Sequence, residues 1–146
     1  MNKNQENESL QEVENPSLIG MINQPKEQFR RIKANPKILF PLIIITILTI
    51  VAALLTISSM EPDLEGLQEF SEGELLVIEI MTNIATVITS MIAPALVILI
   101  SAAIYFIIAK ASGKNVSFKQ MFSLITHITF ISTIGSLLNG ILAFIF

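Results

Sequence analysis

The sequence has no cysteine, a single histidine and few charged residues, since Asp, Glu, Lys and Arg make up 14% of its 146 positions. Without cysteine the chain has no disulfide framework, no thiolate metal site and no cysteine nucleophile. A nucleotide-binding glycine loop, the HExxH and GxSxG motifs and a paired intramembrane Asp or Glu are also absent from the sequence. We therefore expect a protein that is not an enzyme and needs no cofactor or metal, and we expect no nucleic-acid partner, although the net charge of −3 is mild and does not bear on that point.

Apolar residues dominate what is present: 52% of the chain is hydrophobic and the mean hydropathy is +0.68. Long runs with few charges predict membrane spans at about 36–59, 75–109 and 118–146, because about 20 apolar residues cross a hydrocarbon core. The second run would form a helix of about 52 Å, and Pro94 is expected to kink it. We predict an all-α integral membrane protein with three transmembrane helices, preceded by a short amphipathic interfacial helix.

The residues before the first span divide into two parts. Residues 1–16 are polar and acidic and predict a disordered cytoplasmic tail, whereas 17–34 form a juxtamembrane amphipathic segment ahead of the transmembrane domain, 35–146. Pro25 can open a short helix in which Phe29 and Ile32 share one face and Glu27 pairs with Arg31. The segment is typical of a lipid-interface anchor, with a docking site for a protein as the alternative. The candidate lipid-headgroup contacts are Lys26, Arg30, Arg31, Lys33 and Lys37.

The distribution of positive charge predicts the topology. Six of the nine Lys and Arg residues precede the first span, three lie between the second and third spans, and none falls in residues 58–74. The positive-inside rule then places the N-terminus in the cytoplasm and the loop at 60–74 outside the cell. The loop stretch EPDLEGLQEFSEGE lacks EF-hand spacing, which leaves weak binding of divalent ions as its alternative role.

Polar residues within the second span form a stripe at helical spacing, consisting of Glu79, Asn83, Thr86 and Ser90. Intramembrane carboxylates are often functional, so this stripe is a candidate cation or proton path, although a packing face is the simpler interpretation. In the third span His127 could change charge near neutral pH. Because Glu79 lies near the opposite side of the membrane, we expect His127 to bond a neighbouring hydroxyl or carbonyl instead.

Small residues recur every four positions on the third span, at Ser132, Ser136 and Gly140. This spacing lets helix backbones approach closely in lipid and predicts a helix-packing face. The start of the same span, Ser117 with Gln120, fits a capping box.

The order of these features resembles the Yip1-domain family of small multispanning membrane proteins. The residues that carry the resemblance are SLIGMINQPKEQFRRIKANPK before the first span, the part of the second span from Pro94 to Tyr105, and GKNVSFKQMFSLITH leading into the third. The resemblance implies a non-enzymatic membrane role: eukaryotic relatives act in vesicle traffic and bind small GTPases, and some bacterial relatives are regarded as transporter accessories. The family usually has about five spans, so this chain is expected to be truncated or completed by another copy or subunit.

We expect a Yip1-like membrane scaffold or accessory protein of a bacterial plasma membrane, acting by helix–helix association with another membrane protein or with its own copies. The alternative is a component of a transporter that moves a cation or small solute along the polar stripe of the second span.

Overall fold

The computed structural model describes residues 14–59 and 70–145. Five helices follow one another in these ranges: α1 (Leu18–Asn23), α2 (Pro25–Ala34), α3 (Leu39–Ser59), α4 (Glu72–Ala111) and α5 (Phe118–Ile145). No strand occurs in the described part, and α3, α4 and α5 are each long and apolar enough to cross a membrane. The all-α class with three spans is confirmed. The predicted acidic tail, up to residue 13, and positions 60–69 of the acidic loop lie outside the described residues.

The three long helices pack around a small apolar core. Ile45 of α3, Ile98 of α4 and Phe130 of α5 are buried together, with further side chains from α3 and α5 against them. At the crossing of α3 with α5, a Cβ added to Gly140 would lie 3.1 Å from the carbonyl oxygen of Ala52. Such a close approach favours glycine, as the helix contacts of membrane proteins commonly do.

Helix α4 is much longer than its neighbours. Its 40 residues span about 60 Å, whereas the 28 residues of α5 span about 42 Å. Pro94 lies inside α4, which continues through it, and the kink expected there stays a prediction. The helix begins at Glu72, earlier than the apolar run predicts, because Ser71 and Glu74 form a capping box. The buried residues of α4, Ile98 and Ala102, both lie in its second half.

The chain enters α3 through a short non-helical link at residues 35–38 that the sequence did not predict. The Asn-Pro signal predicts a helix start at Pro36, but α3 begins at Leu39. Asn35 instead ends α2, with its backbone N–H bonded to the carbonyl of Arg31. The link contacts α5, since the carbonyl oxygen of Lys37 accepts a hydrogen bond from the Ser123 hydroxyl at 2.6 Å.

The juxtamembrane segment folds as a hairpin of two short helices, α1 and α2. Ser17 caps α1 by accepting from the backbone N–H of Gly20, and α2 starts at Pro25 as predicted. The predicted pair of Glu27 with Arg31 is confirmed at 3.1 Å. The buried face of α2 consists of Gln28 and Ile32, whereas Phe29, expected on that face, is 42% exposed.

Candidate packing and lipid-facing surfaces

Charge separates the two ends of the bundle. Eight of the nine cations belong to the hairpin, the link into α3, or the stretch from the last turn of α4 to the first turn of α5, a region that we term the basic end. In the last turn of α4 the Lys110 ammonium lies 5.7 Å from the ring centroid of Phe106, and Phe106 stacks edge-on with Phe118 of α5. The other end of α4 carries Glu72 and Glu74. The positive-inside rule uses this unequal distribution of Lys and Arg between the two ends to predict orientation.

The polar stripe of α4 lies partly against the bundle. Asn83, Thr86 and Ser90 are half-buried, whereas Glu79 is exposed. The Thr86 hydroxyl donates to the Thr82 carbonyl at 2.9 Å, and that of Ser90 donates to the Thr86 carbonyl at 2.7 Å. These hydroxyls are therefore satisfied within their own helix, as is usual for Ser and Thr in membrane helices.

His127 is fully buried in α5. Its Nδ1 lies 2.7 Å from the carbonyl oxygen of Ser123. A carbonyl only accepts, so Nδ1 carries a proton and donates this bond. Nε2 has no partner within residues 14–59 and 70–145. The ring thus bonds a neighbouring carbonyl, the arrangement that we expected from the sequence.

His127 and Glu79 are far apart along the bundle. The contact between Phe106 and Phe118 aligns the C-terminal part of α4 with the start of α5. From this ring pair, at 1.5 Å per residue, His127 is about 14 Å along α5 and Glu79 about 40 Å along α4. No group of three or more His, Asp or Glu residues able to hold a metal occurs in the described ranges. The structure therefore brings the two titratable side chains into no common site.

Two faces of α5 carry small and polar residues. The inner face packs on α3 and α4 and is buried throughout; it consists of Ser123, Thr126, His127, Phe130, Thr133 and Gly140. The outer face is exposed; it consists of Ser132, Gly135, Ser136 and Asn139. Of the three residues in the predicted packing stripe, Gly140 therefore lies inside the bundle, whereas Ser132 and Ser136 point outward.

A helical repeat explains this division. Steps of four residues advance 400°, so a stripe at this spacing rotates by 40° around the helix at each step. From Ser132 to Gly140 the rotation reaches 80°, which carries the stripe from the exposed side toward α3. Asn139 and Gly135, which the stripe does not include, lie with Ser132 and Ser136 on the exposed side. Their spacing of three and four residues was a signal in the sequence that our reading missed.

Comparison with known proteins gives the family. The sequence matches the Yip1 domain over residues 19–146. The chain belongs to the Yip1-domain family. It is 34% identical over 150 residues to membrane protein YknW of Bacillus subtilis (strain 168), an alignment that covers 99% of this chain and 64% of that protein. This chain thus spans a little under two thirds of that relative's length. No solved structure is significantly similar to it.

Proposed function

We propose that this Yip1-domain protein is a membrane scaffold or accessory protein that acts by helix–helix association with other membrane proteins. The observation that carries the proposal is the outer face of α5. A helix surrounded only by lipid gains nothing from small or polar side chains on its exposed side. In lipid, small residues favour close helix approach, and carboxamides and hydroxyls favour hydrogen bonds between helices.

The composition of the outer face fits a second helix in particular. Apart from the backbone of its own helix, Gly135 has no atom of the described residues within 4 Å of the position of an added Cβ, so another backbone can approach it closely. Asn139, one turn further, is exposed and offers both a donor and an acceptor. Ser136 has a short side chain whose hydroxyl donates to the Ser132 carbonyl at 3.3 Å. A partner helix could therefore pack at the glycine and bond the carboxamide.

The first half of α4 adds further surface. Residues 72–97 include no buried side chain, and several large apolar side chains there are about half exposed, among them Leu76, Ile80, Ile84 and Ile88. By the alignment of Phe106 with Phe118, the residues before Glu79 extend past the end of α5. This projecting apolar helix supports association with another membrane segment at that end of the bundle.

Affinity capture from native membranes tests the proposal. Tagged wild-type chain should retain a membrane-protein partner, or a differently tagged copy of itself, after detergent extraction. Ser136→Leu should reduce the capture at least about tenfold, because a bulky side chain separates the helices. Leu138→Phe, which enlarges a side chain already 56% exposed on the same helix, is the matched control and should leave capture unchanged. Equal capture by both variants would contradict the proposal.

The basic end is proposed to face the cytoplasm. The charge asymmetry supports this orientation, because Lys and Arg near span ends are retained on the cytoplasmic side. The chain has no cysteine, so single cysteines at 66 and 113 can be labelled in intact cells without background. A membrane-impermeant thiol reagent should reach position 66 and leave position 113 unlabelled. Labelling of Gly113→Cys from outside the cell would show that the chain has the opposite orientation.

A transporter component is the second candidate. It is supported by the way Asn83, Thr86 and Ser90 turn toward the bundle, with Glu79 exposed at the end of the same stripe. Reconstituted liposomes would test it by cation flux, with Glu79→Gln and Asn83→Leu compared with the wild type. Flux that both substitutions abolish would favour transport. The absence of flux from the wild type would eliminate it, while leaving the association proposal to the capture experiment.

A further inference from the structure

The hairpin of α1 and α2 is held together by specific contacts. The backbone N–H of Ser17 donates to Oε1 of Gln28 at 2.7 Å. Gln28 packs so closely on Gly20 that an added Cβ would lie 2.5 Å from its Nε2. Leu18 reaches the apolar core of the three long helices. The hairpin is therefore a docked element of the fold and not an independent peptide.

Hydrogen bonds to α5 fix the depth of the hairpin. Nε2 of Gln120 donates to the carbonyl of Lys33 at 2.6 Å, and the Ser123 hydroxyl donates to that of Lys37 at 2.6 Å. Gln120 itself lies in the capping box at the start of α5, where it accepts from the backbone N–H of Ser117 at 2.8 Å. The hairpin consequently lies level with the first turns of α3 and α5, the depth at which a span meets lipid headgroups.

The exposed surface of the hairpin includes both apolar and cationic side chains. Ile19 is 68% exposed, Ile22 53% and Phe29 42%. Lys26 and Lys33, also exposed, are three residues before and four after Phe29, so the three side chains share one side of α2. An exposed aromatic ring between two lysines is typical of a helix lying in the interface of an anionic membrane.

The arginines of α2 are engaged differently. Arg31 pairs with Glu14 and, at 3.1 Å, with Glu27, and its side chain is 23% exposed. Arg30 donates to the same Glu27 carboxylate at 2.9 Å. Both arginines are thus engaged in ion pairs, although the side chain of Arg30 stays 77% exposed. Of the cations that the sequence marked as candidate headgroup contacts, Lys26 and Lys33 are therefore the two best placed beside an inserted ring.

We propose that the hairpin binds anionic phospholipid, with Phe29 inserted among the acyl chains and Lys26 and Lys33 against the lipid phosphates. Each lysine near an anionic surface favours binding by roughly fivefold. The apolar side chains alone would favour any bilayer, whereas the two lysines select its charge. This surface lies on α1 and α2 and does not depend on which membrane protein packs against α5.

A single tryptophan tests the proposal, since the natural sequence has none. Phe29→Trp would be placed in the full chain and reconstituted in bilayers that contain acyl-brominated phospholipid, either anionic or zwitterionic. We expect blue-shifted emission and stronger quenching by the anionic brominated lipid than by the zwitterionic one. In mixed bilayers, adding Lys26→Ala and Lys33→Ala should lower the preference for anionic lipid roughly fivefold per lysine.

Ile100→Trp provides the control, because this α4 position is 59% exposed, lies within a span away from the hairpin and is outside the association surface of residues 72–97. Its quenching should be the same for both lipids, with or without the lysine substitutions. Equal quenching of Trp at position 29 by both lipids would overturn the proposal. Blue-shifted but unquenched emission, which would mean that a second copy covers the surface, would also overturn it. So would quenching that appears only after residues 2–13 are deleted, because the acidic tail would then be the occupant.

Discussion

The inner and outer faces of α5 resemble each other in composition and differ in what covers them. Serine, glycine and one larger polar residue occur on both, but the inner set is buried against α3 and α4 and the outer set is exposed. Within the fold, small polar residues serve close packing, as at Gly140 and Ser123. The outer face therefore shares small and polar residues with the inner face, but within the described residues no helix packs against it.

The two glycines of α5 provide the most discriminating test of this difference between the inner and outer faces. Gly140→Leu should destabilise the protein by about 3 kcal/mol, because the new side chain meets the Ala52 carbonyl and forces α3 from α5. Gly135→Leu should change stability by less than about 0.5 kcal/mol. Thermal unfolding in detergent measures both. Equal destabilisation would show that the outer glycine is also packed within the chain, contrary to our account.

The polar residues His127 and Asn139 make a second pair. His127→Ala should lower the free energy of unfolding by about 2 kcal/mol, since it leaves a cavity and removes the ring's bond to the Ser123 carbonyl. Asn139→Ala should leave unfolding unchanged but weaken partner capture by about threefold, as expected for one hydrogen bond between membrane helices. Chemical denaturation combined with capture separates the two effects. An unfolding defect in the asparagine variant would count against an intermolecular role.

A smaller difference is expected between two serines. Ser123→Ala removes the donor to the Lys37 carbonyl and should cost about 1 kcal/mol of stability. Ser132→Ala, on the exposed side, should have no measurable effect on unfolding. Thermal scans of the two variants provide the check, and a stable Ser123 variant would indicate that water replaces the lost donor.

The smallest effect concerns the hairpin and its pH dependence. Hydrogen bonds from Arg30 and Arg31 hold the pKa of the Glu27 carboxyl below its ordinary value of 4.5. A lowered carboxyl pKa stabilises the folded hairpin fully above the ordinary value, and this contribution is lost as pH falls through the lowered pKa. Glu27→Gln should remove this loss of hairpin stability at low pH. The fluorescence of Trp at position 29, followed as the pH is lowered, would measure the loss of hairpin stability. The same pH dependence in the Glu27→Gln variant would show that another group causes it.

Much of the fold could be predicted because its causes are local in sequence. Uninterrupted apolar runs gave the three spans, and Ser117 with Gln120 gave a capping box that the structure confirms at 2.8 and 3.2 Å. The start of α3 at Leu39 was not predicted from local signals, and the link before it makes a contact distant in sequence, from the Ser123 hydroxyl to the Lys37 carbonyl 86 residues away. For the same reason the small-residue pattern of α5 identified packing positions without showing which face meets a helix of the same chain.

The most direct test of the outer face is site-specific photo-cross-linking in native membranes. A photoreactive amino acid at Ser136 should give a discrete protein adduct. The same residue at Ile107, which is 65% exposed on α4, should give lipid adducts alone. Absence of a protein adduct from position 136, or the same adduct from both positions, would contradict the assignment of this face to helix association.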